Sequence, residues 1–170
     1  MGVFYKSKFY HTVNTSPESY DVFKYMREML DNGVKHLVME ISSQSLKLNR
    51  WSNVVFDYAV FTNLSLDHVG DDEHDSFEDY MYCKSLLFKQ CNVGLFNADS
   101  EYCSYMSNNC SGKIYTFGTS DMASYRLVST KNIIDSGFMG IEMIVDGVVS
   151  DNFRVSIPGN FTAYNALCCI

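Results

Sequence analysis

Glu40, Asp67, His68 and Lys84 are the side chains in the first half of the chain whose types and settings suit metal or phosphate chemistry. Glu40 lies at the end of a short apolar run, His36-Leu37-Val38-Met39-Glu40-Ile41, and is followed by Ser42-Ser43. A carboxylate at the end of a buried strand offers a hard cation such as Mg2+ a rigid oxygen ligand beside a nucleotide. The alternative is a carboxylate that simply emerges into solvent where the strand ends. Asp67 and His68 head an acidic stretch running to Asp75, beyond a second apolar run closed by Asn63. Its spacing matches neither an EF-hand loop nor a zinc-protease histidine pair, which leaves a metal-binding loop and a solvated connection both open. Lys84 shares a helical face with Phe77, Tyr80, Met81, Leu87 and Phe88. Desolvation there favours the neutral amine, which can take up CO2 as a carbamate and so become an anionic metal ligand. Snorkelling of the ammonium to water is the competing outcome.

The elements that would position these groups can be read from periodicity. Ser16 as cap, Pro17 at the first helical position and Glu18 in the first turn predict a helix. Val22, Met26, Met29 and Leu30 continue it at helical spacing until Asn32-Gly33. Residues 36–41 predict a strand buried on both faces, and residues 57–63 a second. A helix capped by Ser76 should run to about Lys89, followed by a strand over 93–97, a short helix over 100–106 and a strand over 113–117. Three β segments follow, at 125–134, 140–145 and 153–157, broken by Asp135-Ser136-Gly137 and Asp146-Gly147. A last helix begins at Asn160. This order predicts an α/β, three-layer fold: a mainly parallel sheet with helices on both faces, plus an antiparallel β flank.

Composition sets outer bounds. The chain has 170 residues, 46% of them hydrophobic and 19% charged, which suits one globular domain and excludes global disorder. A net charge of −7 argues against nucleic acid as a partner, since phosphate neutralisation needs a basic stripe. No apolar run approaches the roughly 18–20 residues of a spanning helix, and the amino end lacks a secretory h-region, so membrane insertion is not expected and a cytoplasmic location is. The six cysteines contain no CxxC pair and are expected to be buried free thiols.

Taken together, certain segments resemble the Mur ligase family, in its MurE-type branch of UDP-N-acetylmuramoyl-dipeptide ligases. They are Asn14-Thr15-Ser16-Pro17-Glu18-Ser19, Met39-Glu40-Ile41-Ser42-Ser43-Gln44, Phe61-Thr62-Asn63-Leu64 with Asp67-His68, Tyr82-Cys83-Lys84-Ser85, Asn97-Ala98-Asp99, and Pro158-Gly159-Asn160-Phe161 with Asn165-Ala166-Leu167. The resemblance covers almost the whole chain. It implies ATP-driven amide formation through an acyl phosphate, with ATP and Mg2+ as cofactors, adding the third amino acid of the peptidoglycan stem. The partners it implies are UDP-N-acetylmuramoyl-dipeptide and an amino acid. By the same resemblance Glu40, His68 and carbamylated Lys84 ligate metal and are the catalytic set. Asn14, Thr15, Ser16, Ser42 and Arg50 hold the UDP-sugar dipeptide, and Asn165 lies near the adenine.

The sequence also departs from the family pattern. The Gly-Lys-Thr phosphate loop expected ahead of Asn14 has no match in residues 1–13, and Gln44, Leu48, Ser100 and Thr162 stand where many members carry other residues. Residues 1–170 are therefore expected to be a partial central, ATP-binding domain, without the amino-terminal uridine-binding and carboxyl-terminal amino-acid-selecting domains. Such a chain is expected not to turn over alone, and to expose a sheet edge. The alternative functions are a non-catalytic remnant that binds a UDP-sugar peptide or partner ligase, and a small metal-dependent hydrolase built on Glu40, Asp67 and His68.

Overall fold

A computed structural model describes residues 1–65 and 74–170. These form two compact units, residues 1–54 with 74–87 and residues 55–65 with 88–170.

The first unit opens with a hairpin that periodicity did not reveal, β1 (Gly2–Tyr5) and β2 (Lys8–His11), turning at Lys6 with a positive φ of 50°. Tyr5 and Tyr10 donate their hydroxyls to the carboxylate of Glu28, which fastens the hairpin to helix α1 (Ser19–Asp31). That helix starts after Glu18, so Ser16 is not its cap. Its end follows the expected Gly signal. The Gly33 N–H bonds Leu30 O at 2.9 Å and the Val34 N–H bonds Met29 O at 3.0 Å, the paired closure that a glycine at positive φ permits.

Residues 36–41 correct the sequence reading, because they form no strand. A strand is held by its ladder, and among the described residues this segment has no ladder partner; Val38 is 96% exposed. A short helix, α2 (Ser43–Lys47), follows, with the Ser42 hydroxyl accepting the Ser45 N–H. Trp51 is buried and donates its indole N–H to Ser45 Oγ at 2.8 Å. Helix α3 (Phe77–Ser85) begins as expected at Ser76, whose hydroxyl accepts the Asp79 N–H, and passes into a 3-10 turn over Leu86–Gln90.

The second unit is a six-stranded sheet ordered β3 (Phe56–Phe61), β4 (Cys91–Asn97), β5 (Lys113–Gly118), β6 (Tyr125–Asp135), β7 (Phe138–Gly147) and β8 (Asp151–Val155). Pairing is parallel from β3 to β6 and antiparallel from β6 to β8, giving the mixed sheet with its antiparallel flank. Helix α4 (Cys103–Ser107) packs on β4, and α5 (Asn160–Leu167) packs on β5, β6 and β7. Ile141, Met143 and Val145 alternate inward along β7 against Phe117, Leu127, Ala163 and Leu167. The β6–β7 turn is Ser136-Gly137, both at positive φ, which matches the twist of a two-residue hairpin.

All six cysteines are free, but only Cys83 and Cys91 are buried. Cys103, Cys110 and Cys168 are half-buried and Cys169 is exposed. No helix among the described residues is long and apolar enough to cross a membrane.

Candidate functional site

The first unit gathers most of the residues singled out above around the stretch from Glu40 to Ser43. Ser16, 1% exposed, donates its hydroxyl to Glu40 O at 3.3 Å and accepts the Ser42 N–H at 3.0 Å. The residue that resembled a helix cap therefore ties its own loop to the chain beyond Glu40. Arg50 completes the cluster. Its Nη1 donates to Ser16 O at 3.1 Å, its Nη2 pairs with Glu18 at 2.5 Å, and its carbonyl accepts the Ser19 hydroxyl at 2.9 Å. The buried Nε of Arg50 has no hydrogen-bond partner among the described residues. An unpaired buried guanidinium nitrogen is costly, and an oxygen of a bound ligand would satisfy it.

A cleft of about 360 Å³ adjoins this cluster, lined by Thr15, Pro17, Met26, Met39, Glu40 and Trp51 among others. Asn14 and Thr15 are exposed beside it, and the carboxylate-bearing Glu40 is exposed at its wall. Lys84 is half-buried. Its Nζ approaches Ile41 O at 3.5 Å and stands 5.7 Å from the centroid of the Tyr80 ring. The amine thus meets the backbone of the residue following Glu40, on the face that helical spacing assigned to it. Asp67 and His68 lie outside the described residues. Asn165 is exposed on α5 in the second unit. The preceding Tyr164 donates its hydroxyl to Asp99 at 2.7 Å, and Asp99 also accepts the N–H groups of Thr119 and Ser120. Burial pushes the Asp99 carboxyl upward, but the Thr119 N–H, the Tyr164 and Thr119 hydroxyls and the Ser120 N–H together hold it below its ordinary range. Gly118 at φ +150° allows this approach, since a Cβ there would sit 2.8 Å from the carboxylate.

One group of side chains was missed by the sequence reading. His74, 2% exposed, presents Nδ1 to Asp79 Oδ2 at 2.9 Å and Nε2 to Ser43 Oγ at 2.8 Å. Lys47 reaches the same Asp79 oxygen at 2.7 Å, and the Cys83 thiol lies 3.6 Å from Asp79 Oδ1. The signal was local: the Ser76 cap sets His74 just ahead of α3 and Asp79 in its first turn. Lys47 and His74 hold the Asp79 carboxyl down to about 2. His74, Asp79 and Cys83 bring their ligand atoms within 4.8 Å of one another, the spacing of a metal site. The chemistry opposes a metal there. Lys47 already occupies the carboxylate, and burial together with the Asp79 charge pushes the Cys83 thiol up to about 11, whereas metals bind the thiolate.

Comparison with known proteins places the chain. Residues 2–170 match the Mur ligase middle domain. The chain is 41% identical over 160 residues to the UDP-N-acetylmuramoyl-L-alanyl-D-glutamate–2,6-diaminopimelate ligase of Caldanaerobacter subterraneus, covering 94% of this chain and 32% of that protein. It is 37% identical over 153 residues to the UDP-N-acetylmuramyl-tripeptide synthetase of Lactococcus lactis, covering 90% and 30%. A lysine-adding ligase of Streptococcus suis is 33% identical over 159 residues, covering 94% and 31%. The chain thus spans about a third of the length of the curated relatives it matches. A solved diaminopimelate ligase superposes with a TM-score of 0.79 at 22% identity, covering 91% of this chain and 32% of that one, a likeness of fold. With the family match running from residue 2 to residue 170, the chain belongs to the Mur ligases as a middle domain of that family.

Proposed function

We propose that the chain works within a MurE-type ligase that joins UDP-N-acetylmuramoyl-dipeptide to a third amino acid in peptidoglycan synthesis, driven by ATP. A cytoplasmic location goes with nucleotide-linked substrates of this kind. The observation that carries the proposal is the convergence of Ser16, Ser42 and Arg50 on the Glu40 stretch, with the Lys84 amine at Ile41 O. Asn14, Thr15, Ser16, Ser42 and Arg50 would bind the UDP-sugar dipeptide, and the unpaired Arg50 Nε suits one of its anionic oxygens. Asn165 would lie near the adenine.

The donor set fits Mg2+. Glu40 offers a hard carboxylate oxygen, and Lys84 as its carbamate would add two more, with His68 as the remaining expected ligand. When bound, ATP supplies the phosphoryl group that activates the substrate carboxylate, and Mg2+ neutralises phosphate charge. The chain's own part is positioning. Ser16 and Arg50 fix the backbone around Glu40, and α3 holds the Lys84 amine at Ile41 O.

Two measurements test this. With 13C-labelled bicarbonate, the chain should give a carbamate carbon resonance that Lys84→Ala removes. Calorimetry should show UDP-N-acetylmuramoyl-dipeptide binding that Arg50→Ala weakens by about tenfold or more, as expected for losing a charged hydrogen bond. Absence of both the carbamate and the binding would overturn the proposal.

A further inference from the structure

We propose that His74 is a positioning residue for Lys84: held between Asp79 and Ser43, its imidazole sets helix α3 against the Glu40–Ser43 stretch and thereby sets where the Lys84 amine stands. Its bearing on catalysis rests on the ligase function proposed above; its geometry does not.

The proton positions follow from the partners. An ionised Asp79 can only accept, so Nδ1 carries the imidazole proton and donates it to Oδ2 at 2.9 Å. Nε2 meets the Ser43 hydroxyl at 2.8 Å. Lys47, from the far end of α2, donates to the same Asp79 oxygen at 2.7 Å. Both ends of α2 are thereby bound to the first turn of α3 and the residue ahead of it. The Ser42 hydroxyl caps α2 from the adjoining position, and Ser16 fixes the Ser42 N–H. Asp79 and Lys84 ride on one hydrogen-bonded helix, so the link at its first turn is transmitted rigidly to its last. The contacts through His74 and Lys47 are short, and the carboxylate they share makes those to Asp79 charge-assisted.

A Ser-His-Asp order also suggests an activated nucleophile, but Ser43 is buried at the start of α2 and its hydroxyl is taken up by His74. The arrangement is one of bracing.

The test is competitive acetylation of the folded chain by acetic anhydride, with lysine modification read by peptide mass spectrometry and exposed Lys113 as internal reference. His74→Phe keeps the ring volume and removes both hydrogen bonds, and Ser43→Ala removes one. Each should raise Lys84 modification relative to Lys113 by about fivefold or more. His74→Asn, which keeps a donor toward Asp79, should return it toward the wild-type value at an unchanged Tm. Unchanged Lys84 reactivity in folded His74→Phe or Ser43→Ala overturns the proposal. So does imidazole 15N NMR of the wild-type chain showing no proton on Nδ1 of His74, a readout that stands even where a variant fails to fold. Acetylation uses neither nucleotide nor bicarbonate. A carbamate that forms while Lys84 reactivity ignores His74 removes the positioning role alone; reactivity that depends on His74 in a chain that neither forms the carbamate nor binds UDP-N-acetylmuramoyl-dipeptide removes the ligase function alone.

Discussion

Asp79 concentrates the electrostatics of the first unit on one carboxylate. Lys47 faces it from α2, His74 and Asp75 precede its helix, and the Cys83 thiol lies one turn along. With its carboxyl held down to about 2 against an unfolded value of about 3.9, Asp79 stabilises the fold fully above the unfolded value. That contribution is lost as pH falls through about 4 toward 2. Asp79→Asn should therefore lower Tm at neutral pH, and the gap to wild type should narrow below about pH 4 and close near pH 2. A gap that stays constant across this range would show that the loss comes from packing and not from charge. Residues of this kind are hard to read from sequence. Glu40, Ser42 and Lys84 could be singled out because each belongs to an ordered family segment. His74 sits in an acidic stretch whose average property is solvation, and only the fold reveals that this imidazole is buried against Asp79 of α3.

Elements were legible where local chemistry fixes them. The strands β4 to β8 and helix α5 appear close to their expected bounds, because Asp135-Ser136-Gly137 and Asp146-Gly147 force turns between runs of alternating residues. The β1–β2 hairpin was missed since its turn, Lys6-Ser7, carries no glycine or asparagine, and α2 since five residues are too few to show a period. Residues 36–41 failed for the opposite reason. Their apolar run is a strand signal only if a ladder exists to receive it. The alternation on β7 can be tested directly. Met143 is fully buried beside Phe117 and Leu167, while its neighbour Ile144 is 42% exposed on the other face. Met143→Ala should cost about 2–5 kcal/mol in denaturant unfolding, and Ile144→Ala less than about 1 kcal/mol. A larger loss at Ile144 than at Met143 would mean that the register is shifted by one residue.

At the scale of the whole molecule, the sheet order leaves β3 and β8 as its outer strands among the described residues. The two edges differ in chemistry. β8 carries Asp151 and Arg154, charges that oppose edge-to-edge pairing. β3 reads Phe-Asp-Tyr-Ala-Val-Phe, with Tyr58 69% exposed and Val60 38% exposed, and so is the more apolar of the two outer strands. Pairing of two copies through β3 would bury those side chains, but each copy carries a net charge of −7, and like-charge repulsion opposes the approach until salt screens it. Association should therefore strengthen from low to moderate ionic strength, the reverse of what a salt-bridged interface would show. In sedimentation equilibrium the weight-average mass should rise above 19.4 kDa with both protein and salt concentration, and Val60→Lys should hold it at the monomer value. A wild-type chain that stays monomeric at every salt concentration would mean that the β3 edge is covered in solution, and the exposed tyrosine and valine on it would then need a different account.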